Sequence, residues 1–266
     1  MNLLDLDSAV CAIGDVHGRS DLLSAIIAFI EEHSVNSHRP PRVYFLGDIV
    51  DRGPDSRGAM EIVCQTLKRW PGSRLLLGNH DYLFRDALTE QRLVQGWHQC
   101  GGSTTLASYL GTSDFYSFDD LLRIKERFPG HLQALQEASI VECVARYLFV
   151  HAGINPHAPL SEQHLSDLLQ IRQPFLDHVG LLPHVVVHGH SPTKTLRPAV
   201  TENRVSLDTG AVYSDVLTMA VIDTESDRID FYSTDQTGTT KAVCPTIIDR
   251  GLGTAWRPMS PTLLHR

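Results

Sequence analysis

The stretch VYFLGDIVDRG, residues 43–53, decides how the chain is read. Its first four residues are apolar and end at Gly47, the pattern of a short buried strand closed by a turn. Asp48, Asp51 and Arg52 follow in the turn. The arrangement recurs four times: residues 10–13 run into GDVHG (14–18), 75–77 into GNHD (78–81), 148–150 into HAG (151–153) and 185–187 into HGH (188–190). Each apolar run therefore ends in a loop that carries His, Asp or Asn.

Between the first two strands, Leu22, Leu23, Ile26, Ile27 and Ile30 recur at helical spacing after Ser20, a candidate cap. Met60, Val63, Cys64 and Leu67 do the same between Pro54 and the Pro71-Gly72 stop. Strand and helix alternating every ~30 residues predict right-handed crossovers and a largely parallel sheet. Parallel strands present their carboxyl ends together, so the five loops are expected to meet at one sheet edge.

Residues 82–140 interrupt this rhythm with a polar, helix-leaning stretch containing Trp97, Gly101, Gly102 and Tyr109. It reads as a helical insertion beside or over the site, shaping the substrate pocket. Residues 204–207, 216–223 and 229–232 look like late strands of a second, more antiparallel sheet. The expected organisation is one α/β domain over residues 1–235, built as a two-sheet sandwich with flanking helices, and a weakly ordered tail over 236–266.

Composition narrows the function classes. With 42% hydrophobic and 20% charged residues, the chain of 266 residues belongs with ordinary globular domains. A formal charge of −8, without a Lys/Arg cluster, argues against a nucleic-acid surface and suits a protein that gathers carboxylates around cations. The acidic N-terminus is unlike a signal peptide, and no apolar stretch approaches the ~20 residues of a membrane span, so a cytoplasmic protein without membrane partners is expected. Five cysteines without zinc spacing read as reduced thiols.

Taken singly, each polar loop has a bland explanation: Asp48 as a helix cap, Asn79 as a turn residue, Asp15 and His17 as an ordinary turn pair. That explanation does not account for a potential ligand at every strand end: Asp15, His17, Asp48, Asn79, His151 and His190. Mixed imidazole, carboxylate and amide donors suit first-row divalent metals better than calcium. Six donors exceed one tetrahedral ion. Two ions about 3.5–4 Å apart, sharing a carboxylate, use them all and generate hydroxide for in-line attack on phosphorus.

The ordered set GDxHG, GDxxDRG, GNH(E/D), HAG and GH resembles the calcineurin-like metallophosphoesterases, specifically the phosphoprotein phosphatase branch with its bacterial serine/threonine phosphatases and symmetrical diadenosine tetraphosphate hydrolases. The resemblance spans roughly residues 10–222. IRQPFL (171–176), VVVHGHSPT (185–193) and NRVSLDTGAVYSDVLTMAVID (203–223) strengthen it. It implies that Asp15 and His17 bind a first metal, that Asp48 bridges, and that Asn79, His151 and His190 bind a second. It further implies His80 as the general acid oriented by Asp51, and Arg52 as a phosphate clamp. Arg172 is a candidate second arm, although a surface arginine is an even alternative.

Of the two histidines in HGH, the resemblance assigns the ligand position to His190, which would leave His188 a supporting residue. Where a broader phosphodiesterase subset has GHxH, Pro192 stands here, which favours the phosphatase branch. Asp208 is expected either beside a ligand imidazole or as a turn cap. Manganese is the usual activator of bacterial relatives; iron or zinc suits the same ligands. The expected activity is a phosphomonoesterase of the serine/threonine protein phosphatase type, acting on a phosphorylated protein or small phosphoester. The alternatives are a dinucleoside polyphosphate (Ap4A) hydrolase, with Trp97, Tyr109 or Tyr116 open as base-stacking surfaces, and a non-catalytic scaffold that kept the fold.

Overall fold

A computed structural model describes residues 9–35, 40–111, 117–235 and 237–248. Two six-stranded sheets make the framework. In the first, β1 (Ala9–Ile13), β2 (Arg42–Phe45) and β3 (Arg74–Leu75) run parallel in that order. The helices α1 (Ser20–Ser34) and α2 (Ser56–Arg69) make the crossovers. The second sheet takes β4 (Val141–Val144), β5 (Tyr147–Val150), β6 (Val185–His188), β7 (Ala199–Val200) and β8 (Arg204–Ser206). There, β5, β6 and β8 run parallel as neighbours.

The apolar runs form strands because both faces of each are covered. Val10 and Ala12 of β1, Tyr44 of β2, Tyr147 and Phe149 of β5, and Val185 and Val187 of β6 fill the core between the sheets. The alternate residues Cys11, Ile13, Val43 and Phe45 face outward onto helical residues such as Leu23, Ile26, Met60 and Val63. On the outer face of the second sheet, Leu148, Val150 and Val186 pack with Leu168, Ile171 and Phe175, where α8 (Leu165–Gln170) covers them.

Three expectations are corrected here. The polar loops do not share one sheet edge: three leave the first sheet and two leave the second. Of the late strands, β8 lies in the second sheet, whereas β9 (Thr218–Asp223) and β10 (Ile229–Thr234) extend the first, with β9 antiparallel to β1. Ala220 and Ile222 of β9 join the core between the sheets and Met219 and Val221 the core beneath the helices, a two-sided burial that the edge of β1 supplies. The start of the expected tail is also built in. Residues of β11 (Thr240–Ala242) pair with β10, and those of β12 (Thr246–Ile247) pair with β7, giving both sheets a further strand at the edge. The rest of the expected tail, residues 249–266, and Tyr116 lie outside the described residues.

Ser20 is not the cap of α1. Its hydroxyl donates to Asp55 Oδ2 at 2.7 Å, and Asp55 in turn caps α2 by accepting from the Gly58 N–H at 2.9 Å. The helical stretch starts inside the third loop, since Asn79 and His80 are the first residues of α3 (Asn79–Ala87). It continues through α4 (Val94–Trp97), a π-helical turn at 98–102, α5 (Ser103–Leu110), α6 (Phe118–Arg127) and α7 (Pro129–Gln136). These helices pack beside the first sheet and under its loops. A short helix, α9 (Ala211–Ser214), precedes β9. Among the described residues no helix is long and apolar enough to cross a membrane.

Candidate metal centre

The strand-end loops converge around Asp48, which is 2% exposed and centres two groups of side chains. His17, Asp48 and His80 form one, and Asp48, His151 and His190 the other; within each group the ligating atoms lie within 4.8 Å of one another. The two carboxylate oxygens face opposite ways. Oδ2 lies 3.4 Å from His17 Nε2, and Oδ1 lies 3.4 Å from His151 Nε2. Asn79 joins the second group through its amide oxygen, 3.1 Å from His151 Nε2 and 2.9 Å from His190 Nδ1.

The ring protons are assigned by the carbonyls behind the site. His17 Nδ1–H donates to the Val50 carbonyl at 2.9 Å, and His151 Nδ1–H to the Leu46 carbonyl at 2.8 Å. A carbonyl can only accept, so each ring turns an Nε2 lone pair toward Asp48. Burial, which disfavours the charged ring, keeps the imidazoles neutral: His17 and His190 are pushed down to about 4, and His151 is also lowered. Burial alone would raise the Asp48 carboxyl, but the surrounding His151, His17 and His80 outweigh it and hold the group below its ordinary range. Neutral imidazole nitrogens and a carboxylate converging on one point are what a divalent cation fits.

Asp15 stands slightly apart. Both its oxygens accept the His190 backbone N–H at 3.0 Å, tying the first loop to the fifth. Burial and the nearby charges of Asp208 and Asp48 push its carboxyl well above the ordinary range, a crowding of negative charge that a cation relieves. Close approach here requires glycine: a Cβ on Gly189 would stand 1.9 Å from Asp15 Oδ1, and one on Gly47 would stand 2.4 Å from Gly78 N. His17, Asp48, Asp51, Arg52 and His190 all hold positive φ, so backbone strain is concentrated in these loops.

Arg52 spans the first group. Its guanidinium donates to His17 Nε2 at 3.0 Å and to His80 Nε2 at 2.7 Å. On the far side of His80, Nδ1 lies 2.9 Å from Asp51 Oδ2. Burial opposes a charge on His80, but the Asp51 hydrogen bond and the charges of Asp48 and Asp51 overcome it and raise the ring above its usual value. Arg172 is exposed and makes its influence felt only through its charge, which acts on His190 and Asp208.

The structure separates the other polar residues from the centre. His188 is buried between Gly189 and Ser206, donating to the Gly189 carbonyl from Nδ1 at 2.9 Å and accepting from Ser206 Oγ at Nε2 at 2.8 Å. Asp208 acts as a turn cap, accepting from the Gly210 N–H at 2.9 Å. Trp97 and Tyr109 are buried and offer no face to a base. Three supporting residues escaped the sequence reading. Asp81 accepts the N–H groups of Ile49, Val50 and Gly78 at 2.9, 3.3 and 3.1 Å, fastening the second loop to the third. Its place in GNHD was the available signal. Ser56 and Thr105, whose hydroxyls accept the Asp51 N–H at 3.1 and 2.9 Å, carried none.

A two-sheet α/β fold whose strand ends gather imidazoles and a shared carboxylate defines a metal-dependent phosphoester hydrolase. Residues 9–216 match the sequence profile of the family described as calcineurin-like phosphoesterase, so the chain belongs to that family, whose members bind two divalent metals. The asymmetrical bis(5'-nucleosyl)-tetraphosphatase PrpE of Oceanobacillus iheyensis is 27% identical over 229 residues, covering 77% of this chain and 85% of that protein. The symmetrical bis(5'-nucleosyl)-tetraphosphatase of Delftia acidovorans is 29% identical over 177 residues, covering 61% and 55% respectively. Among solved structures, the cold-active protein-tyrosine phosphatase of a psychrophilic Shewanella species has the same fold: TM-score 0.53, 14% identity, 89% of this chain and 80% of that one.

Proposed function

We propose that the chain hydrolyses phosphomonoesters in the manner of serine/threonine protein phosphatases, with Asp15, His17, Asp48, Asn79, His151 and His190 holding two divalent ions. The observation that carries this reading is the double-sided Asp48 carboxylate, with one oxygen toward His17 and the other toward His151. When bound, the two ions acidify water for attack on phosphorus and neutralise charge on the phosphoryl oxygens. The nitrogen and oxygen donors suit manganese, iron or zinc, and manganese is the proposed ion.

The remaining roles belong to the chain's own side chains. Arg52 forks onto the phosphoryl oxygens with the same two nitrogens that now reach His17 and His80. Once Arg52 turns to the phosphate, His80 Nε2 is released to hold a proton for the departing alkoxide, and Asp51 holds the ring from Nδ1 and favours its protonated form. Arg172 adds positive charge that acts on His190 and Asp208. The phosphomonoester reading gains support from the burial of Trp97 and Tyr109, which leaves neither ring available to a nucleobase.

A second reading, hydrolysis of a dinucleoside polyphosphate, has the curated relatives in its favour. Turnover of a phosphoserine peptide and of diadenosine tetraphosphate, each with added manganese, separates the two. Faster cleavage of the peptide is expected. Cleavage of the dinucleotide alone would overturn the substrate assignment and leave the metal chemistry standing. A purified protein with no divalent metal, and no p-nitrophenyl phosphate activity after manganese addition, would instead identify a binding scaffold.

A further inference from the structure

The proposed acid His80 is oriented by Asp51, and the question is what orients Asp51. Its carboxylate is 0% exposed, and a carboxylate buried with a single partner is poorly determined and costly. Here every direction is filled. Oδ2 lies 2.9 Å from His80 Nδ1 and accepts the Trp97 indole N–H at 3.1 Å; Oδ1 accepts the same N–H at 3.0 Å and the Thr105 hydroxyl at 2.7 Å. Two of the three donors come from the helical stretch after the third loop, from residues outside all five motifs.

These donors are themselves held. Trp97 is fully buried and stacks on Phe84, with ring centroids 5.1 Å apart; Phe84 lies on α3, the helix that begins with Asn79 and His80. The chain can turn over the indole only because residue 102 is glycine, since a Cβ there would lie 2.4 Å from the ring. The Thr105 hydroxyl also accepts the Asp51 N–H at 2.9 Å, and the Gly101 carbonyl accepts the Arg52 N–H at 3.3 Å. Asp51 and Arg52 are consecutive residues with φ of 71° and 69°, a conformation that persists only when its surroundings impose it. Residues 97–105 thus bracket both the backbone and the carboxylate of the residue that aims the acid.

We propose that Trp97 and Thr105 are positioning residues, which fix the Asp51 carboxylate and through it the His80 ring, so that the helical stretch serves proton delivery to the leaving group. This rests on the reading of His80 as general acid. A donor of this kind affects the step that needs the proton, whereas mere packing affects folding or every substrate alike.

The experiment compares turnover of a phosphoserine peptide, whose leaving group needs a proton, with that of p-nitrophenyl phosphate, whose leaving group scarcely does. Bound manganese and Tm are measured alongside. Trp97→Phe keeps the aromatic stack and deletes the N–H; Thr105→Val keeps the shape and deletes the hydroxyl. Each is expected to lower kcat on the peptide about tenfold, and kcat on p-nitrophenyl phosphate by less than about twofold, with KM and bound manganese unchanged. Thr105→Ser restores the lost peptide turnover. Equal losses on both substrates, or lost manganese, would overturn the proposal. His80→Asn serves as the control: if it fails to discriminate between the substrates, the general-acid reading falls and the proposal with it. If His80→Asn discriminates and the two variants do not, only the proposal falls. Should Trp97→Phe melt below the assay temperature, Thr105→Val against Thr105→Ser decides alone.

Discussion

The loops after β1, β2 and β3 and those after β5 and β6 contribute unequally to the centre. The first set brings Asp15, His17, Asp48, Asp51, Arg52, Asn79 and His80; the second brings His151 and His190. The first set is braced from behind by Asp81 and by the bracket at 97–105. The second set is oriented by the first: His151 donates to the Leu46 carbonyl, and the His190 N–H donates to Asp15. In the proposed reading one sheet therefore carries both cation binding and proton handling and acts as the template, while the other adds imidazoles to it. Damage to the first half should spread across the site, and damage to the second should stay local.

The sharpest way to break this comparison is at the shared carboxylate. Asp48→Asn is expected to lower bound metal on both sides and reduce turnover by ~10⁴-fold or more, measured by metal analysis and p-nitrophenyl phosphate hydrolysis. Wild-type metal content and turnover would refute the bridge. His80→Asn separates proton handling from cation binding within the first half: metals stay bound while turnover of the phosphoserine peptide falls by ~10²- to 10⁴-fold, and that of p-nitrophenyl phosphate by less.

His151→Gln tests the second half alone. One of two ions should be lost, with turnover down about 10²-fold and partly recovered at high manganese. A loss as deep as that of Asp48→Asn would erase the proposed asymmetry between the sheets. The smallest effect belongs to the exposed Arg172: Arg172→Ala is expected to raise KM by about two- to threefold at low salt, with kcat unchanged and the difference fading as salt is added. A large fall in kcat would instead place Arg172 on the reacting phosphoryl group.

Much of the centre was legible because metal chemistry imposes residue types. Asp48, Asn79, His151 and His190 stand out as polar residues directly after apolar runs, and the structure brings them together, with His17 alongside. The network around Asp51 was not legible. Trp97 reads as a core aromatic and Thr105 as an ordinary helix residue, and they reach Asp51 across 46 and 54 positions of sequence. The stacking role left open for Trp97 and Tyr109 failed for a related reason: a large ring can lie on the surface or in the core, and only its neighbours decide which.

What the sequence by itself determined is the five strands that end in the polar loops and the order of those loops, because an apolar run buried on both faces leaves few alternatives to a short strand that ends at a turn. Tertiary structure alone decided the partners. It sent β9 and β10 to the first sheet rather than the second, set β11 and β12 beside the edges, split the polar loops between two sheets, and turned the helical stretch into a brace for Asp51. Strand pairing and buried hydrogen bonds join residues far apart in the chain. Their choice depends on which edges and unsatisfied groups the folded core leaves available, and no local pattern records that.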